Sequence, residues 1–338
     1  ITPLRQITES VAVANTYLFS PQVATRVRWD MNTDTPLPPD EPAAENPPDG
    51  AIIDYYIKSA GTDAVTLEIL DATNKLVRRY SSADPLPQID PMLEIPKYWV
   101  RPPQALSGEA GMHRFLWDLR FSPTPGLKPL YPMQAVVHDT APAPSSPWVM
   151  PGQYTVKLTA GGKSYTRSLT VRMDPRVKTS KIGLMQQFTE SMKLYEDAVA
   201  ASKAIEQLAA IHEQLDSLKQ QASEGGAAEA IAVAEKKLEK LKGTGNRLQL
   251  FFSRESGSDS LSSVRGTLLA LMSMMQGSDV APPAQIVEAA SERRQKMAEL
   301  MSQWRGFMDQ DLVKLNARLK KANLPAVAVA PVKQEEQK

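Results

Sequence analysis

The sequence predicts an antiparallel β-sandwich of immunoglobulin or fibronectin type, followed by an antiparallel helical bundle with long coiled-coil-like helices. Two observations carry this reading. Apolar and polar residues alternate in short runs from residue 51 to 173, and from 174 onward apolar residues recur at steps of three and four. The chain is also large enough for two cores: of its 338 residues, 42% are hydrophobic and 23% charged.

AIIDYYIK, VTLEILD, KLVRRYS, HRFLWDLR, GQYTVKLTA and SYTRSLTVRM are rich in β-branched and aromatic residues, and turn signals such as AGTD, DATNK and AGGK separate them. Val65, Leu67 and Ile69 share one face of their run, as do Tyr154, Val156 and Leu158 of theirs. Gly161-Gly162 joins two such runs as a hairpin turn. These six runs are the expected sandwich over 51–173.

Helices are expected over 174–324. Asp174-Pro175 offers a capping acid followed by a proline suited to a first helical position, and Thr179-Ser180 offers a second start. A stripe from Ile182, Met185, Phe188, Met192 and Tyr195 through Leu208, Ile211, Leu215 and Leu218 predicts about ten turns ending at SEGG. AAEAIAVAEKKLEKLK stops at Gly243, SLSSVRGTLLALMSMMQ is a third helix, and GTGNRLQLFFSRESGSD is ambiguous between them. Pro282-Pro283 opens a last long helix, with Met297, Met301, Trp304, Met308, Leu312, Leu315 and Leu319 on one stripe to about Leu324.

The ends read differently. Residues 1–50 form an extended arm, because prolines at 36, 38, 39, 42, 47 and 48 remove amide donors and restrict their neighbours. Within it VATRVRWDM is strand-like, and the arm is expected to pack on a further domain. Residues 325–338 read as a disordered tail.

Composition excludes several functions. Thirty-nine basic against 38 acidic side chains leave a net charge of +1, without the basic surplus that nucleic-acid binding needs. No cysteine occurs, which removes disulfides, thiolate nucleophiles and cysteine-ligated zinc. No run of about 18 apolar residues is present to span a membrane. There is no HExxH, GxSxG, P-loop or dinucleotide-binding glycine pattern, so no catalytic residue, metal ligand or cofactor is assigned. His113, His138 and His212 lie on separate elements. Asp118, between Trp117 and Arg120 at a strand end, reads as an acid that accepts hydrogen bonds at a corner.

Two proline-rich insertions, PLPQIDPMLEIPKYWVRPP and FSPTPGLKPLYPMQAVVHDTAPAPSSPW, exceed the roughly 12–15 residues usual for loops in compact domains. Tyr98, Trp99, Tyr131 and Trp148 lie in or beside them as a candidate binding surface. Such aromatics stack on sugars or proline-rich peptides, or pin loops and dock a neighbouring domain.

The run NTDTPLPPDEPAAENPPDGAIIDYYIK, with VTLEILDATNKLVRRYSS, HRFLWDLR and MPGQYTVKLTAGGKSYTRSLTVRMDPR, resembles the C-terminal region of large bacterial β-propeller proteins. These are labelled sortilin-like or BNR-repeat glycosyl hydrolases, and ITPLRQ is similar to their exit from the propeller. The resemblance covers about residues 1–220. Its middle is also similar to the immunoglobulin-like module of flagellar hook-cap proteins and secreted-protein tail domains, with Asn74 where a turn glycine is expected.

The resemblance implies an exported protein (periplasmic, cell-surface or extracellular) whose signal peptide is not in this stretch. It further implies an N-terminal β-propeller of the same polypeptide as partner. No SxDxGxxW Asp-box occurs, and no functional residue of the family maps onto a position here. The expected role is a non-catalytic structural and interaction module that docks on the propeller and on a protein partner. The alternative is a carbohydrate- or cell-wall-binding accessory region of a glycoside hydrolase-like enzyme.

Overall fold

The computed structural model describes residues 2–28, 41–42, 47–90, 92–132, 138–222, 225–243 and 259–329. It divides into two compact units: Ile1–Pro123 with Lys128–Ser180, and Thr124–Leu127 with Lys181–Lys338.

The first unit holds two sheets. Strands β1 (Thr16–Leu18), β3 (Ala51–Ile57) and β6 (Gly111–Trp117) form an antiparallel sheet in the order β1-β3-β6. The others are β2 (Ala24–Arg26), β4 (Thr66–Leu70), β5 (Leu76–Ser81), β7 (Gly152–Ala160) and β8 (Lys163–Met173), in the order β2-β8-β7-β4-β5. The alternating runs become strands because each buries one face: Leu67, Ile69, Val156 and Leu158 are fully enclosed, while Glu68 and Lys157 pair on the other face at 2.9 Å. Gly161 and Gly162, at φ +55° and +70°, make the two-residue turn between β7 and β8.

The expectation of an immunoglobulin- or fibronectin-type antiparallel sandwich is overturned by β2. It pairs with β8 in parallel, Ala24 to Val171 and Arg26 to Met173, so the five-stranded sheet is mixed and curls as a half-barrel beside a separate three-stranded one. The stretch read as an arm therefore supplies a strand to each sheet. Its proline-rich part, residues 29–40 and 43–46, lies outside the described residues. VATRVRWDM does hold a strand, as read, but its place in the larger sheet was not legible: the buried face carries Ala24 and Arg26, and a buried arginine does not read as core.

The second unit is helical. Its helices are α2 (Lys181–Gln221), α3 (Gly226–Lys242), α4 (Leu261–Met275), α5 (Ala284–Gly306) and α6 (Leu312–Lys321); a single turn, α1 (Glu9–Ala12), belongs to the first unit. The expected bundle of long coiled-coil-like helices is also corrected. One helix of 41 residues packs with α3, α4 and α5, while α6 packs on α3, and a π-helical turn over Phe307–Asp311 separates α5 from α6. The apolar stripe continues across that turn: Trp304 and Phe307 stack at 5.9 Å, and Leu312, Leu315 and Leu319 stay buried.

Helix α2 starts at Lys181, after Thr179-Ser180, not at Asp174. The Asp174 carboxylate is bound by the Arg176 guanidinium and amide, and its own amide extends the β8 pairing to the Arg26 carbonyl. The predicted stripe holds from Leu208 to Leu218 but fails earlier. Ile182 and Met185 are exposed, and the buried face is Leu184, Gln187, Ser191, Leu194, Ala198 and Ala201. Here the core is polar and small. The Gln187 amide donates to the carbonyls of Met275, Ser278 and Val280, taking up acceptors that the end of α4 leaves open, and Gln276 donates to Ser191. The Ser260–Ser263 capping box starts α4, and Gly243 at φ +70° ends α3. Residues 244–258 lie outside the described set.

Of the expected disordered tail, residues 330–338 lie outside the described set; of 325–329, Val327 is only 3% exposed and Val329 is partly buried, while Pro325, Ala326 and Ala328 are exposed.

Two tests follow from the sheet unit. Gly50 sits at φ +107°, and a Cβ there runs into the Trp117 carbonyl, whereas one at Gly161 meets open space. Gly50→Ala is expected to cost more than about 3 kcal/mol and Gly161→Ala only about 1–2 kcal/mol, read from denaturant unfolding. Burial pushes the phenols of Tyr55 and Tyr154 up to about 12, against a weaker opposing effect of the Ser107 backbone on Tyr55. Their contribution to stability is complete below pH 10, where both folded and unfolded phenols are protonated. It is lost as pH rises from 10 to about 12. Alkaline titration followed by tyrosinate absorbance should show unfolding in that window, with Tyr55→Phe reducing the slope.

Candidate functional site

Among the described residues the two proline-rich insertions form no named strand, since prolines leave few amides for a ladder. They are stitched to each other at isolated points. Val100 and Thr140 form a parallel bridge, the Thr140 amide donates to the Trp99 carbonyl, and the His138 amide donates to the Tyr98 carbonyl. Arg101 binds Asp139 at 2.7 Å and reaches Asp49 at 3.8 Å, and Lys128 lies 3.9 Å from Asp90.

On this layer Lys97–Trp99 makes a 3-10 turn that sets the Tyr98 and Trp99 rings edge to face at 6.1 Å. Tyr98 is 57% exposed. Trp99 is half-buried, its Nε1 enclosed with no hydrogen-bond partner among the described residues. Tyr131 is half-buried too, and that burial raises its pKa.

Trp148 has a different environment. It is 8% exposed, and three guanidiniums approach its indole: Arg120 at 4.7 Å, Arg28 at 5.0 Å and Arg26 at 5.1 Å from the ring centroid. Arg26 donates to the Val149 carbonyl and Arg120 to the Ser146 carbonyl. The neighbouring corner is tight. Leu119 takes φ +59°, the Trp117 Nε1 donates to the Arg120 carbonyl, and the Arg120 amide donates to Asp118, as read for that acid. Asp118 is exposed at the surface, with protein atoms crowded around its carboxylate. Desolvation raises its pKa, against the pull of Arg78 and Arg120. Desolvation likewise draws Arg120 down to about 9, with Arg28 and Arg26 adding to the fall, so it stays charged at neutral pH.

The four predicted aromatics thus divide. Tyr98 and Trp99 adjoin each other, Tyr131 lies on the opposing insertion, and Trp148 is engaged by arginines. Sequence reasoning missed Arg26, Arg28 and Arg120 because the first two lie about 90 residues from Arg120 and about 120 from Trp148; the one available signal was the alternating arginine pair in ATRVRW.

Chemically the cluster is a cation–π stack with carbonyl acceptors, and the Asp118 carboxylate lies beside it. No group of three or more His, Asp or Glu among the described residues is placed to hold a metal ion. His113 bonds the Glu109 carbonyl beside Tyr55, and His212 lies 3.6 Å from Asp216. Among the described residues no helix is long and apolar enough to cross a membrane. No family model, curated protein or solved structure matches the chain.

If the stack holds the sheet unit together, Arg120→Lys should cost about 1–2 kcal/mol, because an ammonium cannot lie flat on the indole while reaching Ser146. Trp148→Ala should cost about 3–5 kcal/mol and Trp148→Phe distinctly less, measured by urea unfolding.

Proposed function

We propose that the chain is a non-catalytic structural and interaction module of a larger exported protein, docked through its N-terminal stretch on a β-propeller of the same polypeptide. The observation that supports this is a concentration of exposed apolar side chains: Leu4 is 55% exposed, Ile7 47%, Val13 73% and Val23 47%. They belong to one locally fastened structure. Gln6 clamps Ser20 through both its amide oxygen and nitrogen, and Gln22 bonds Thr2.

Large apolar groups held rigidly in water favour a partner surface, at about 1.5–3 kcal/mol for each side chain fully covered. The partner is named from the resemblance of ITPLRQ to a propeller exit, which would bring a propeller next to these residues. The carbohydrate reading has less support, since Trp148 is engaged and Tyr98 alone of the four aromatics is well exposed.

Sedimentation velocity of this chain mixed with the separately produced propeller region tests the proposal. A complex is expected, and the Ile7→Glu/Val13→Glu double variant should weaken it at least about tenfold with an unchanged circular dichroism spectrum. Absence of a complex with the unmodified chain, or equal binding by the double variant, would refute it.

A further inference from the structure

We propose that Gln214 of α2 and Asn316 of α6 form a recognition site for an extended peptide, a groove filled in this chain by its own residues 324–329. The two amide side chains come from different helices, and each makes a paired contact with the main chain of that segment. Gln214 on α2 donates to the Ala328 carbonyl at 2.8 Å and accepts from the Ala328 amide at 2.9 Å. Asn316 on α6 donates to the Val327 carbonyl at 3.0 Å and accepts from the Val327 amide at 2.8 Å.

An amide bonded to both backbone groups of one residue substitutes for a neighbouring strand. It reads an extended main chain irrespective of side chain, as in strand-addition recognition. Selectivity comes from alternation. Val327 points into the helical core at 3% exposure, Val329 is packed against the same core, and Ala326 and Ala328 face solvent.

The segment does not continue α6. Asn323 at φ +55° ends that helix, its amide donating to Lys320 and the Leu324 amide to Leu319. Pro325 then favours an extended course and contributes no amide. Apart from Val327 and its partly buried flanks, what the helices grip is backbone. The ligand class is therefore an extended peptide with a β-branched apolar anchor between small residues. The built-in segment is a tethered occupant that such a peptide must displace, at an effective concentration on the order of millimolar.

The test uses the whole chain carrying Val327→Asp, which unseats the segment, and a fluorescent synthetic peptide of residues 322–329. Micromolar binding in anisotropy is expected, at least about tenfold tighter than to the unmodified chain, whose groove is filled. Adding Asn316→Ala should weaken that binding at least about tenfold. A Val327→Asp chain that melts cooperatively but does not bind the peptide overturns the proposal, as does binding indifferent to Asn316→Ala. If the aspartate variant has no cooperative melt, Val327→Ala, which shortens the anchor and spares the clamp, is judged by the same criteria.

Discussion

Three like-charged guanidiniums gather at one indole, and this cluster ties together distant parts of the sheet unit. Arg26 comes from β2, Arg120 from the corner after β6, and Trp148 from the lead into β7. Their mutual repulsion is offset by the negative ring face, by the carbonyls of Val149 and Ser146, and by Asp118. A strand of three residues has too few ladder bonds to hold a parallel register alone. Burial of Arg26 under Trp148, with the Arg26 carbonyl taken by Asp174, is what keeps β2 beside β8. The mixed character of the larger sheet follows from that anchorage.

The same device recurs wherever prolines or helix ends leave backbone groups unpaired. Arg78 donates to the Phe121 carbonyl, Gln187 to carbonyls beyond α4, Gln6 to Ser20, and Gln214 and Asn316 to the last packed segment. Buried carbonyls and amides must be satisfied, and side chains do here what strands do elsewhere. Most of these contacts join residues far apart in the chain, and all depend on a geometry that only the folded backbone provides.

Aromatic residues of one apparent kind consequently have different roles. Trp148 and Trp99 both flank proline-rich insertions, yet the first is a structural cation–π centre and the second lies half-buried on a stitched loop layer beside an exposed tyrosine. Surface chemistry shifts instead to the N-terminal stretch, whose exposed leucine, isoleucine and valines composition alone does not distinguish from core.

Local periodicity by itself determined the alternating strands from Ala51 to Met173, the Gly161-Gly162 turn, the α3 stop at Gly243 and the α2 stripe beyond Leu208. In each, the signal and its cause sit within a few residues: an apolar face, a φ of positive sign, a helical repeat. What only the tertiary structure decided is whatever rests on polar burial or distant pairing. That includes the parallel β2, the Gln187–Ser191 face of α2, the arginines around Trp148, and the seat of Val327. A buried arginine or glutamine looks like surface in a sequence, because the partner that makes its burial tolerable lies tens of residues away and is brought there by the fold.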